Sequence, residues 1–264
     1  PDEEFWRAHQ RCKAHLISFA RNRLKAQIQR RGTYHTELNW AEEVLDPEAL
    51  TIGFARRFAT YKRAFLVMTD IDRLRAILSY PDRPVQFLFA GKAHPADREG
   101  QDVVRRIVSL TQGEFRGRLV FLEDYDINLG RHLVQGVDLW LNNPRRPLEA
   151  SGTSGMKSAL NGVPSLSVLD GWWIEGCIEG ITGWSIGDGG DHPDRTIDDV
   201  QSLYDKLEKV VLPLYYKNKN RFIDIMRHCI ALNGSFFNTH RMVEEYWNRF
   251  YIPAAERGFQ VQAE

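Results

Sequence analysis

Thr51-Ile52-Gly53-Phe54-Ala55-Arg56-Arg57-Phe58-Ala59-Thr60-Tyr61-Lys62-Arg63 decides the fold. Residues 51–55 form an apolar run of strand length, and four cations follow within eight residues, where a strand would hand over to a helix. The alternation then repeats. Residues 61–80 read as a helix, 85–90 as a strand, 98–110 as a helix and 118–123 as a strand. A short helix follows over 129–135, then a strand over 137–142, a Gly/Ser segment leading into a helix, and a strand over 163–169. Strand and helix alternating at this interval predict an α/β, Rossmann-like parallel sheet with helices on both faces. Such a sheet binds ligands at the carboxyl ends of its strands, and every polar motif in this chain follows a strand.

Upstream, residues 5–31 place Phe5, Cys12, Leu16, Phe19, Leu24 and Ile28 on one helical stripe that stops at Gly32, with the lysines and arginines forming a solvated face. Residues 33–47 read as an irregular connection ending at Asp46-Pro47. Downstream, 170–176 reads as a tryptophan-rich turn, 183–190 as a flexible loop, and 197–212, 215–232 and 235–254 as three helices. The chain is expected to be one domain over 1–264: a leading helix and connection (1–49), a sheet core carrying the site (50–196) and terminal helices (197–264).

Composition narrows the partners. The 264 residues are 43% hydrophobic, enough for one large core, and 35 basic residues balance 35 acidic ones. No overall field favours nucleic acid or an anionic membrane, so any phosphate site must be local. Cys12, Cys177 and Cys229 are far apart and lack metal-ligand spacing, which points to reduced thiols, a cytoplasmic location and no metal. No leader and no long apolar run suggest secretion or insertion.

The strongest site candidate is Glu149-Ala150-Ser151-Gly152-Thr153-Ser154-Gly155-Met156-Lys157. Small residues at a helix start let backbone N–H groups and the helix dipole approach a phosphate. Hydroxyls of Ser151, Thr153 and Ser154, the Glu149 carboxylate and the Lys157 amine add donors and an acceptor. An ordinary capped surface loop has the same composition. The cations of 56–63 suit a second anion, because arginine forks onto phosphate and lysine supplies a mobile charge. Gly91-Lys92-Ala93-His94-Pro95 and Leu122-Glu123-Asp124-Tyr125-Asp126 are weaker candidates at the ends of later strands. Trp172 and Trp173 suit packing better than sugar stacking.

The segment from Glu149 to Lys157 resembles the cofactor-lysine segment of the α-glucan (glycogen, starch, maltodextrin) phosphorylases, most closely the bacterial short type, and the likeness extends from about Phe5 to Ala255. It implies the carboxy-terminal domain of a GT-B glycosyltransferase architecture. Lys157 would hold pyridoxal 5′-phosphate, and Arg57 and Lys62 would hold the substrate phosphate, making these three the catalytic set. Arg56, Thr153, Ser154, Tyr125 and Lys92 would complete the cofactor pocket. Glu149, Ser151, Gly152 and Tyr61 would meet the glucosyl unit. The reaction implied is phosphorolysis of an α-1,4-glucan with inorganic phosphate to give α-glucose 1-phosphate with retention. Inorganic phosphate would protonate the glycosidic oxygen and then attack the sugar from the same face.

The segment 56–63 departs from the family's Lys-Arg-Ile-His-Glu-Tyr-Lys-Arg at Arg56 and at Ala59-Thr60, and Asp126 stands where long forms have arginine. His94 has no counterpart. The resemblance also implies that a partner, the amino-terminal domain of the same enzyme, supplies the opposite wall of the cleft, so the chain alone is expected to be inactive. A homo-oligomer stays open. Two other readings remain: a nucleotide-sugar GT-B glycosyltransferase domain, separable by nucleotide affinity, and a non-catalytic glucan- or cofactor-binding module.

Overall fold

Six short apolar runs form the strands: β1 (Leu50–Ala55), β2 (Val85–Ala90), β3 (Leu119–Leu122), β4 (Leu139–Asn142), β5 (Ser165–Val168) and β6 (Gly183–Ile186). The computed structural model describes residues 2–32, 35–190 and 196–263. All strand pairs are parallel and the order is β3-β2-β1-β4-β5-β6. Leu50 lies opposite Val85 and Ala55 opposite Ala90, while Ile52 faces Leu139 on the other side. The order reverses between β1 and β4, which makes the carboxyl ends of those two strands the switch point where such sheets bind ligands.

Helices cover both faces: α1 (Asp2–Arg30), α2 (His35–Glu43), α3 (Ile71–Leu78), α4 (Arg98–Gln112), α5 (Ile127–Gly136) and α6 (Thr153–Leu160). They continue with α7 (Trp173–Gly176), α8 (Thr196–Lys206), α9 (Leu212–Lys217), α10 (Lys219–His228), α11 (Thr239–Tyr246) and α12 (Ile252–Ala263). Because side chains alternate along a strand, β2 sends Val85, Phe87 and Phe89 into one core and Leu88 and Ala90 into the other. The first core also contains residues of α3, α8, α9 and α10, and the second residues of α1, α2 and α5.

Four expectations are corrected. Residues 61–80 do not form one helix: single 3-10 turns at Thr60–Lys62 and Leu66–Met68 precede α3. Leu66, Val67 and Met68 are all buried, so this stretch has no solvent face to support an amphipathic helix. The connection over 33–47 contains α2, while Thr33 and Tyr34 lie outside the described residues. The glycine-rich 183–190 segment begins with β6, whose Trp184 and Ile186 are buried. Finally, the buried face of α1 includes His9 and Lys13 and leaves Cys12 exposed. Among the described residues no helix is long and apolar enough to cross a membrane.

Candidate functional site

Past the end of β1 the backbone stays tied to β2, with Arg56 N–H donating to Ala90 O at 3.2 Å and Phe58 N–H to Lys92 O at 3.0 Å. Gly91 permits this approach: its φ is 150°, and a β-carbon there would strike the Arg56 carbonyl. After the Thr60–Lys62 turn, Arg63 adopts a left-handed conformation with φ of 46°. Its guanidinium donates to Asn143 O (3.0 Å), Pro144 O (2.8 Å) and the Asp199 carboxylate of α8 (2.7 Å), and Asn143 Nδ2 donates back to Arg63 O at 2.6 Å. Arg145 N–H reaches Tyr61 O at 2.6 Å. The loops after β1 and β4 are therefore one hydrogen-bonded unit.

The segment carrying Glu149 to Lys157 rests on the loop after β5. Glu149 N–H donates to Asp170 Oδ2 and Trp172 N–H to Ser151 O, both at 2.8 Å. Gly152, with φ of 87°, caps α6, and no side chain accepts from its first turn. The indole of Trp172 packs so closely that a β-carbon on Gly155 would lie 2.7 Å from its Nε1. Trp140 Nε1 donates to Ser154 Oγ at 3.3 Å. The glycines thus serve the tryptophan contact while leaving the helix start uncapped.

These loops bring four of the expected residues together. Arg56 Nη1 lies 2.9 Å from Glu149 Oε2, Lys62 Nζ pairs with the same oxygen, and Arg56 also donates to Asn142 Oδ1. The three charged side chains are only 5%, 10% and 7% exposed for Arg56, Lys62 and Glu149. Burial holds the Arg56 pKa below its ordinary value, and the Glu149 carboxylate only partly offsets this. Lys62 Nζ sits 4.6 Å from the centre of the Tyr61 ring. Burial alone would raise the Tyr61 phenol, but hydrogen bonds from Lys62 and Arg57 outweigh it and the net shift is downward. Arg57, itself exposed, thereby joins the cluster through Tyr61. Gly152 borders it as well, since a β-carbon there would be 3.7 Å from Asn142 Nδ2 and from Glu149 Cγ.

Other expected residues stand apart. Lys157 is exposed, one helical turn beyond Thr153 on the same face of α6. Lys92 is exposed at the end of β2. Tyr125 packs against the α1 and α5 side of the sheet, next to Gly130, and burial followed by the Asp126 charge raises its phenol pKa. Asp126 caps α5 by accepting from Leu129 N–H at 2.7 Å and pairs with Arg23. Arg63, one of the four cations expected to suit an anion, instead ties its guanidinium to the loop after β4 and to Asp199, and sequence reasoning passed over Asn142 and Asp170. The signal for Asn142 was available as a polar residue ending a buried strand at the switch point; Arg63 and Asp170 act through contacts remote in sequence.

Strand order, the uncapped helix and the buried cations at the switch point define a Rossmann-like α/β domain of the kind from which GT-B glycosyltransferases are built. The chain belongs to the carbohydrate phosphorylase family, whose profile matches residues 6–181. It is 48% identical to maltodextrin phosphorylase of Thermococcus litoralis over 99% of its own length and 31% of that protein's. It is 45% identical to glycogen phosphorylase of Aquifex aeolicus, covering 95% of this chain and 37% of the relative. The corresponding figures for glycogen phosphorylase of Mycobacterium tuberculosis are 41%, 95% and 30%. The chain thus spans about a third of the length of these relatives.

Proposed function

We propose that this chain is the cofactor-bearing, carboxy-terminal portion of a pyridoxal phosphate-dependent α-1,4-glucan phosphorylase, which cleaves glycogen or maltodextrin with inorganic phosphate to α-glucose 1-phosphate. The observation that carries the reading is the pair of buried cations, Arg56 and Lys62, beside the uncapped start of α6 at the switch point. The donors fit a phosphorylated cofactor: backbone N–H groups and hydroxyls of Thr153 and Ser154 with the Arg56 guanidinium suit its phosphate, and the Lys157 amine follows one turn later. When bound, the cofactor supplies a phosphate dianion next to the inorganic phosphate.

Arg57 and Lys62 hold inorganic phosphate and fix its orientation. Tyr61 lies beside them, and its phenol is held below its ordinary pKa by both cations. Glu149, Ser151 and Gly152 take the glucosyl hydroxyls. With phosphate so oriented, it delivers its proton to the glycosidic oxygen as the bond breaks and attacks the oxocarbenium-like carbon from the same face, so configuration is retained. No protein carboxylate is required as general acid.

The test is borohydride trapping after incubation with pyridoxal phosphate. The cofactor should be fixed to the peptide containing Lys157. Undiminished labelling in Lys157→Ala would remove the assignment.

A further inference from the structure

Among the described residues, Glu149 is the carboxylate paired with both Arg56 and Lys62, and a single oxygen, Oε2, receives both. Two cations converging on one oxygen is the arrangement a phosphate oxygen would adopt between them. We propose that Glu149 is an internal counter-anion: its carboxylate takes the place of a phosphate oxygen at both Arg56 and Lys62, and inorganic phosphate engages Lys62 fully only by displacing it. The inference rests on the phosphorylase reading in taking phosphate as the ligand.

Burial makes the two occupants exclusive. All three side chains are nine-tenths or more buried, so water and salt screen them little, and two anions sharing the same pair of cations would repel strongly. The cations are positioned to outlast the exchange. Arg56 keeps Asn142 Oδ1, and Lys62 keeps the Tyr61 ring. The Glu149 backbone also stays fixed, because its N–H is bound by Asp170. Only the side-chain torsions of Glu149 need change. Its carboxylate, once released, can accept from sugar hydroxyls, which makes phosphate and glucosyl binding mutually reinforcing through one residue.

The experiment is calorimetric titration of this chain with inorganic phosphate, comparing wild type with Glu149→Gln. Glutamine keeps the size and removes the competing charge, so affinity for phosphate should rise about tenfold or more, while Lys62→Ala lowers it. A purely structural role for Glu149 predicts the opposite sign, since disturbing the loops can only weaken binding. Should Glu149→Gln fail to fold, Glu149→Asp, one methylene too short to bridge both cations, should also bind phosphate more tightly than wild type. Affinity unchanged or reduced in the folded variant, or no phosphate binding by wild type and variant alike, would overturn the proposal. Lys157 trapping is read separately. Tighter phosphate binding without trapping keeps the counter-anion and removes the phosphorylase assignment, and the reverse result does the converse.

Discussion

At the scale of single residues, the most consequential charge outside the site is Asp138 at the entrance to β4. Lys13 Nζ, fully buried, donates to Asp138 Oδ2 and Ala49 O at 2.7 Å and to Tyr215 Oη at 3.0 Å. Asp138 also accepts from Thr51 N–H at 2.8 Å, and His9 Nε2 lies 2.8 Å from its other oxygen. Burial opposes ionisation of Asp138, but Lys13 and His9 prevail and its pKa falls below the ordinary value. Burial and then the Asp138 charge push the Tyr215 phenol far up, so it remains neutral. A carboxyl whose folded pKa is depressed contributes stability above its unfolded pKa of about 4, and loses it as pH falls through the folded value. Stability from this group should therefore be intact at neutral pH and decline only below about pH 4. Asp138→Asn leaves Lys13 buried without its counter-charge and should cost about 3–5 kcal/mol at neutral pH, read from urea unfolding. A loss below 1 kcal/mol would mean that Lys13 finds compensation elsewhere. No sequence pattern announced this cluster, because lysines on an amphipathic helix read as its wet face.

At the scale of elements, the site is made by strand ends whose loops are stitched together. Gly91 is the tightest stitch, and Gly91→Ala forces its new methyl against the Arg56 carbonyl in a backbone conformation that disfavours any side chain. The expected loss is about 3 kcal/mol or more, with weakened phosphate binding because Arg56 must move. Thermal unfolding and the same phosphate titration check both effects. Wild-type stability together with wild-type phosphate affinity would show that the two loops are independent. Strand positions were legible to within about two residues because five apolar runs are short and bounded by polar turns. β6 was hidden by its glycines, and the helix expected over 61–80 was broken by the left-handed Arg63 and by burial all round at Leu66–Met68. Within the site, the cation motif and the Gly/Ser segment were legible as separate stretches. Their junction through Glu149 was not, since 87 residues separate it from Lys62.

At the scale of the whole molecule, the buried cluster is bordered by an open surface. Arg57 and Lys157 face solvent, and so do Leu148 and Ile174 beside the site-bearing loops. The terminal segment is open as well: α11 buries no residue, and Met242, Val243, Tyr246, Trp247, Phe250 and Tyr251 are exposed by 47–62%. The relatives are about three times as long as this chain, which leaves ample polypeptide for an opposite wall. Phosphorolysis needs water kept from the oxocarbenium-like sugar and a low dielectric around the phosphate. An open face beside the cluster does not keep water from the sugar, and solvent weakens the hold of the exposed Arg57 and Lys157. The chain saturated with pyridoxal phosphate is therefore expected to give no sustained glucose 1-phosphate from maltoheptaose and phosphate. Activity should appear when the same residues are carried within a full-length family member, and Lys62→Ala there should raise the phosphate KM more than the glucan KM. Sustained product from the chain alone, abolished by Lys157→Ala, would show that one wall is enough.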